Sequence, residues 1–104
     1  MKFIYITCNV SMLESVTSLI DEIEMSDYQV IEQVTAKSSY SSPRLNTAIW
    51  PGYNSSVMIQ ETDEQKVSAL IEQINEMNEN AYNDSELVAL YTWDISACAT
   101  IGNV

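Results

Sequence analysis

Residues 37–54 hold the side chains best suited to recognition chemistry. Lys37 and Arg44 are two of only four basic residues in the chain, and a cation in an otherwise acidic sequence is a natural partner for an anion. Downstream lies Ile49-Trp50-Pro51-Gly52-Tyr53-Asn54. Pro-Gly suits a type II turn, because proline fixes one φ and glycine accepts the positive φ that follows. Trp50 supplies a broad apolar surface with one N–H donor.

Groups for covalent or acid–base catalysis are scarce. The chain has no histidine, so the commonest general base is missing and neither Ser-His-Asp nor Cys-His can be assembled. Cys8 sits in an apolar strand, where a thiol is normally inert, and Cys98 has no cationic neighbour to activate it. Their separation matches no zinc or redox spacing, and two free thiols indicate a reducing compartment. Glu72, Glu76 and Glu79 recur three and four apart, as do Asp21 and Glu24. Such rows read as solvated helix faces, with no shaped loop to hold a hard cation. The only glycines are Gly52 and Gly102, which rules out a glycine-rich phosphate loop. These features predict a binding protein, not an enzyme, with no cofactor and no metal.

Charge excludes further classes. Four basic against 15 acidic residues give a net charge of −11. Lys2, Lys37, Arg44 and Lys66 cannot build the basic face that nucleic acids or anionic membranes require. No stretch approaches the roughly 18 apolar residues of a membrane span, and the N-terminal residues lack signal-peptide character. A cytoplasmic protein without direct membrane insertion is expected.

The elements that must position residues 37–54 follow from periodicity. Lys2–Cys8 is apolar on both faces and reads as an inner strand. Ser11 and Glu14 have capping-box spacing ahead of a helix running to about Met25 on Met12, Val16, Leu19, Ile20 and Ile23. Gln29–Ala36 reads as a second strand, residues 37–54 as a loop with strand-like ends, and Ser55–Gln60 as a third strand. Thr62 and Gln65 repeat the capping-box spacing before a helix to about Asn80. A polar turn, Asn78–Ser85, leads to a fourth strand, Leu87–Ile95, and a weakly patterned tail. The order β-α-β-β-α-β predicts one ferredoxin-like α+β domain over 1–104, a four-stranded antiparallel sheet with two helices on one face. Two helices cover one face only, whereas the first and fourth strands are apolar on both. The second face should therefore be buried by other subunits.

Thr47-Ala48-Ile49-Trp50-Pro51-Gly52-Tyr53-Asn54, set between two β-α-β units, resembles the PII-like signalling proteins, relatives of the nitrogen-regulatory PII family, in the branch with a T-x-x-W-P-G-x-N stretch. The resemblance implies a homotrimer whose sheets line a central core, ligand clefts between subunits, and a mobile loop after the second strand that contacts a partner. It implies a regulatory or ligand-sensing role, with a small anionic ligand and a protein target such as a transporter. The candidate ligand-binding residues are Lys37, Arg44, Trp50, Gly52 and Asn54. PII proteins hold ATP or ADP with a glycine-rich stretch before the second helix and nearby basic residues. Here that stretch is Glu61-Thr62-Asp63-Glu64-Gln65, acidic and glycine-free, so ATP should bind weakly or not at all. Tyr40 lies where PII proteins can carry a modified tyrosine, but no flanking motif supports modification here. Two alternatives share the topology: a CutA-like trimer linked to metal tolerance, and a dimeric oxidase or monooxygenase with a pocket lined by Tyr5, Tyr91 and Trp93. Within residues 37–54, the first half is expected to be mobile and the second anchored by Trp50 and the Pro51-Gly52 turn.

Overall fold

A computed structural model describes residues 1–101. Four strands form one antiparallel sheet: β1 (Lys2–Asn9), β2 (Tyr28–Val34), β3 (Asn54–Glu61) and β4 (Val88–Asp94), in the order β2-β3-β1-β4. Helices α1 (Leu13–Glu22) and α2 (Glu64–Glu79) make the crossovers. This is the expected ferredoxin-like α+β fold.

Alternation along the strands explains the layering. Successive strand side chains point to opposite faces. Ile4, Ile6 and Cys8 of β1, Val57 and Ile59 of β3 and Val88 of β4 are buried with Val16 and Ile20 of α1 and Val67, Leu70 and Ile74 of α2. Each fully buried isoleucine contributes about 1.5–3 kcal/mol, and the central strand β1 supplies two of them. Phe3, Tyr5 and Thr7 of β1 point the other way, alongside Met58 and Ser56 of β3 and Ala89, Tyr91 and Trp93 of β4 in register. Among the described residues no helix covers that face. Tyr91 and Trp93 are half-exposed, and the Phe3 and Trp93 rings pack at 4.9 Å between centroids.

Helix ends depart from the expected caps. Ser11 and Glu14 do not form a capping box. Asn9 Oδ1 instead accepts from the Ser11 N–H at 3.1 Å, opening a 3-10 turn (Val10–Met12) that leads into α1. Before α2 the cap is Asp63, whose Oδ1 accepts from the Gln65 N–H at 2.9 Å, not Thr62. A carboxylate at a helix N-terminus also meets the positive end of the helix dipole, which favours aspartate over threonine there. Helix α1 ends earlier than expected. Glu24 takes φ +66°, its N–H donates to the Asp21 carbonyl at 3.0 Å, and the Met25 N–H donates to the Ile20 carbonyl at 3.2 Å. These two bonds define a Schellman stop, normally made at glycine; buried Met25 and the Lys66 ammonium, 2.8 Å from the Glu24 carbonyl, hold it.

Strand β2 stops at Val34, two residues short of the expected end, after a register irregularity between Ile31 and Val34. It is an edge strand with exposed Val30 and Ile31. At the other edge, the Asn78 side chain exchanges two 2.8 Å hydrogen bonds with the backbone of Val88, pinning the start of β4 to α2.

The caps are directly testable. Asp63→Ala should cost about 1 kcal/mol in chemical denaturation, whereas Thr62→Ala should change stability by less than about 0.5 kcal/mol; equal costs would return the cap to Thr62.

Candidate functional site

The segment between β2 and β3 carries several backbone hydrogen bonds of its own. Ala36 and Arg44 pair as an isolated antiparallel bridge, with reciprocal N–H···O=C bonds of 2.9 and 2.8 Å. The free arm is thereby shortened to residues 37–43, within which Ser38 and Ser41 hydroxyls meet at 2.9 Å. Lys37 is exposed at the base of this arm. Arg44, in the half expected to be mobile, is backbone-paired with Ala36 at the arm's other end.

Beyond Arg44 the chain folds onto itself. The Trp50 carbonyl accepts from the N–H groups of Leu45 (3.1 Å) and Thr47 (3.0 Å), and its own N–H donates to Thr47 Oγ1 at 3.0 Å. Asn46 adopts φ +55°, and its N–H donates to the Gly52 carbonyl at 2.8 Å. Gly52 has the positive φ, +83°, that the Pro-Gly pair predicts. An added Cβ at Gly52 would meet nothing within 4 Å, so glycine is required there by backbone conformation alone. The Tyr53 carbonyl then accepts from the Val10 N–H at 3.2 Å, fastening the segment to the end of β1. Trp50 anchors the loop, but through its peptide group. Its side chain remains 42% exposed, beside Ile49 at 79%.

Arg44 and Asn54 come together. Arg44 Nη1 donates to Asn54 Oδ1 at 3.0 Å, and Asn54 Nδ2 donates to Thr7 Oγ1 at 3.2 Å. Asn54 is buried, so this relay ties the arm to the central strand through a satisfied polar side chain. The bond to Asn54 uses one of the five guanidinium N–H donors. Among the described residues the ion pair found is Lys2–Asp94, at 2.7 Å; it raises the Lys2 pKa and lowers that of Asp94, chiefly through the hydrogen bond. Arg44 thus keeps a positive charge and further planar donors beside Thr7 at the open sheet face. Thr7 was missed by sequence reasoning. The signal for it was a lone polar residue at an open-face position of an otherwise apolar strand.

The remaining reactive groups are passive or dispersed. Burial pushes the Cys8 thiol up to about 11, outweighing the nearby Arg44 charge, so it stays protonated at neutral pH. Cys98 is exposed and unbridged. Among the described residues no cluster of three or more acidic or thiol groups has metal-binding geometry. At the β3–α2 turn, Glu61 Oε2 accepts from the N–H groups of Thr62 (3.1 Å) and Asp63 (3.0 Å), and Asp63 caps Gln65. The Thr62, Asp63 and Gln65 N–H groups of this turn are therefore already bound to the chain's own carboxylates.

This fold is that of PII-like proteins. CPII of Thiomonas intermedia K12, a nitrogen regulatory PII-like protein bound to ADP, AMP and bicarbonate, superposes with a TM-score of 0.66 at 19% identity, over 96% of this chain and 94% of that one. Its apo form superposes with a TM-score of 0.65 at 16% identity, over 90% and 87% of the two chains. A Thermus thermophilus protein assigned to PII-like signalling gives 0.63 at 14% identity, over 88% and 83%. No protein-family model and no curated protein sequence matches the chain.

The relay makes a definite demand on Asn54. Asn54→Ala should destabilise the protein by about 1–3 kcal/mol, because buried groups lose their partners, and should increase amide exchange over 37–44. Unchanged exchange in that arm would show that the Ala36–Arg44 bridge holds it unaided.

Proposed function

We infer that this chain is a non-enzymatic PII-like regulatory or ligand-sensing protein that acts as a homotrimer. The observation that carries the reading is the uncovered sheet face, where Phe3, Tyr5, Met58, Tyr91 and Trp93 lie opposite the helix-covered core. A face of this kind needs a partner surface, and sheets packed around a common axis supply one. The PII-like fold and the absence of histidine support regulation over catalysis.

The ligand of this reading is a small anion received at Arg44, with Asn54 orienting the guanidinium and Lys37 adding charge at the arm's base. CPII's bound ADP and AMP would not be accommodated in the same way. The β3–α2 turn here is closed by Glu61 and Asp63, and a phosphate approaching it would meet negative charge instead of donors. Bicarbonate, also bound by CPII, has the size and charge that Arg44 suits. Ligand occupancy would order residues 37–43 and so present or withdraw the arm from a protein target, a disorder-to-order switch. Arg44 and the exposed Trp50 belong to this working surface.

Sedimentation at micromolar concentration should give three times the 11.7 kDa chain mass, with moderate salt strengthening assembly by screening acidic repulsion. Trp93→Glu should yield monomers. A wild-type monomer would remove the reading, and a mass of two chains would favour the aromatic-pocket dimer.

Calorimetry should detect ATP and ADP binding weaker than about 1 mM, equivalent to less than about 4 kcal/mol. Micromolar nucleotide affinity would show that donors other than the β3–α2 turn hold the phosphates.

A further inference from the structure

The helix layer carries a feature that the regulatory reading does not use. Between α1 and the second half of α2 lies an open cleft of about 680 Å³. Met12, Leu19 and Met77 line it while packing against the core beneath. Glu14, Glu22 and Glu86 line it with carboxylates, and Ser15 and Ser18 are short enough to leave its α1 side open.

We propose that this cleft is a docking surface for a basic amphipathic helix of a partner protein. Charge selects that occupant. Glu14, Glu22 and Glu86 line the cleft and no basic residue does; Lys66, near the start of α2, is tied to the Glu24 carbonyl at 2.8 Å. A second copy would bring the same acidic face, and nucleic acids or anionic membranes are repelled in the same way. A Lys/Arg-rich helix finds complementary charge on the rim and an apolar floor for its other face. Methionine is suited to the floor because its flexible thioether adapts to a partner's side chains.

The cleft lies within one chain, so the inference stands independently of subunit number and of any anion at Arg44.

The probe is a fluorescent amphipathic Leu/Lys/Arg peptide of about five helical turns, titrated into the full chain by anisotropy, with a scrambled peptide of equal composition beside it. Chemical shifts of the Met12 and Met77 methyls report the location. The ordered peptide should bind at least about tenfold tighter than the scrambled one and shift both methyls. Glu14→Gln, Glu22→Gln and Glu86→Gln combined should weaken it at least about tenfold, as loss of three rim pairs predicts. An equal charge change elsewhere, Asp27→Asn, Glu32→Gln and Glu72→Gln, should weaken it less than about threefold. Equal losses for the two variants, equal binding of the scrambled peptide, or unmoved methyls would each overturn the proposal, leaving only general attraction of a polycation to an acidic protein.

Discussion

A sheet has two faces, and a chain with two crossover helices can bury only one of them. That inequality organises this molecule. One face feeds the intramolecular core through Ile4, Ile6, Val57 and Ile59, while the other carries Phe3, Tyr5, Tyr91 and Trp93. The open side is not uniformly apolar. Tyr5 donates to or accepts from Ser56 at 2.8 Å, and the Arg44–Asn54–Thr7 relay occupies one end of it. Polar groups on this surface are thus paired before any partner arrives, which lowers the desolvation cost of covering it.

The acidic excess is handled differently in different layers. At the β3–α2 turn the carboxylates of Glu61 and Asp63 are turned inward to backbone N–H groups and act as structural caps. On the helix layer they remain in solvent and line a cleft. Arg44 is held by an amide and not by a carboxylate, so its charge is not neutralised locally despite 15 acidic residues in the chain. Lys2 is paired with Asp94 and Lys66 is tied to the Glu24 carbonyl, whereas Arg44 is held by a neutral side chain.

The fold was legible because its evidence is periodic. Strands and helices announced themselves through spacing, and the two-sided character of β1 and β4 identified the open face. What the sequence hid depends on choices between neighbours. Thr62 and Asp63 both make plausible caps, and one residue of offset decides between them. Glu24 gives no warning that it will adopt a left-handed conformation, because that depends on Met25 reaching the core and Lys66 reaching its carbonyl. At the site, the Pro51-Gly52 turn was legible from residue types, while the pairing of Arg44 with Asn54, ten positions apart, was not. Nor was the division of Trp50 into a bound peptide group and an exposed ring, since residue type speaks for the side chain only.

The left-handed positions at Glu24 and Asn46 have a consequence for the unfolded chain. With only two glycines in 104 residues, the denatured ensemble samples positive φ rarely, and every residue other than those two brings a restricted map of backbone states. Native strain at such non-glycine positions is of order 1–2 kcal/mol each. It is partly offset because a stiffer random chain has fewer conformations to surrender on collapse. Part of the stability of this fold therefore resides in what its disordered state cannot do.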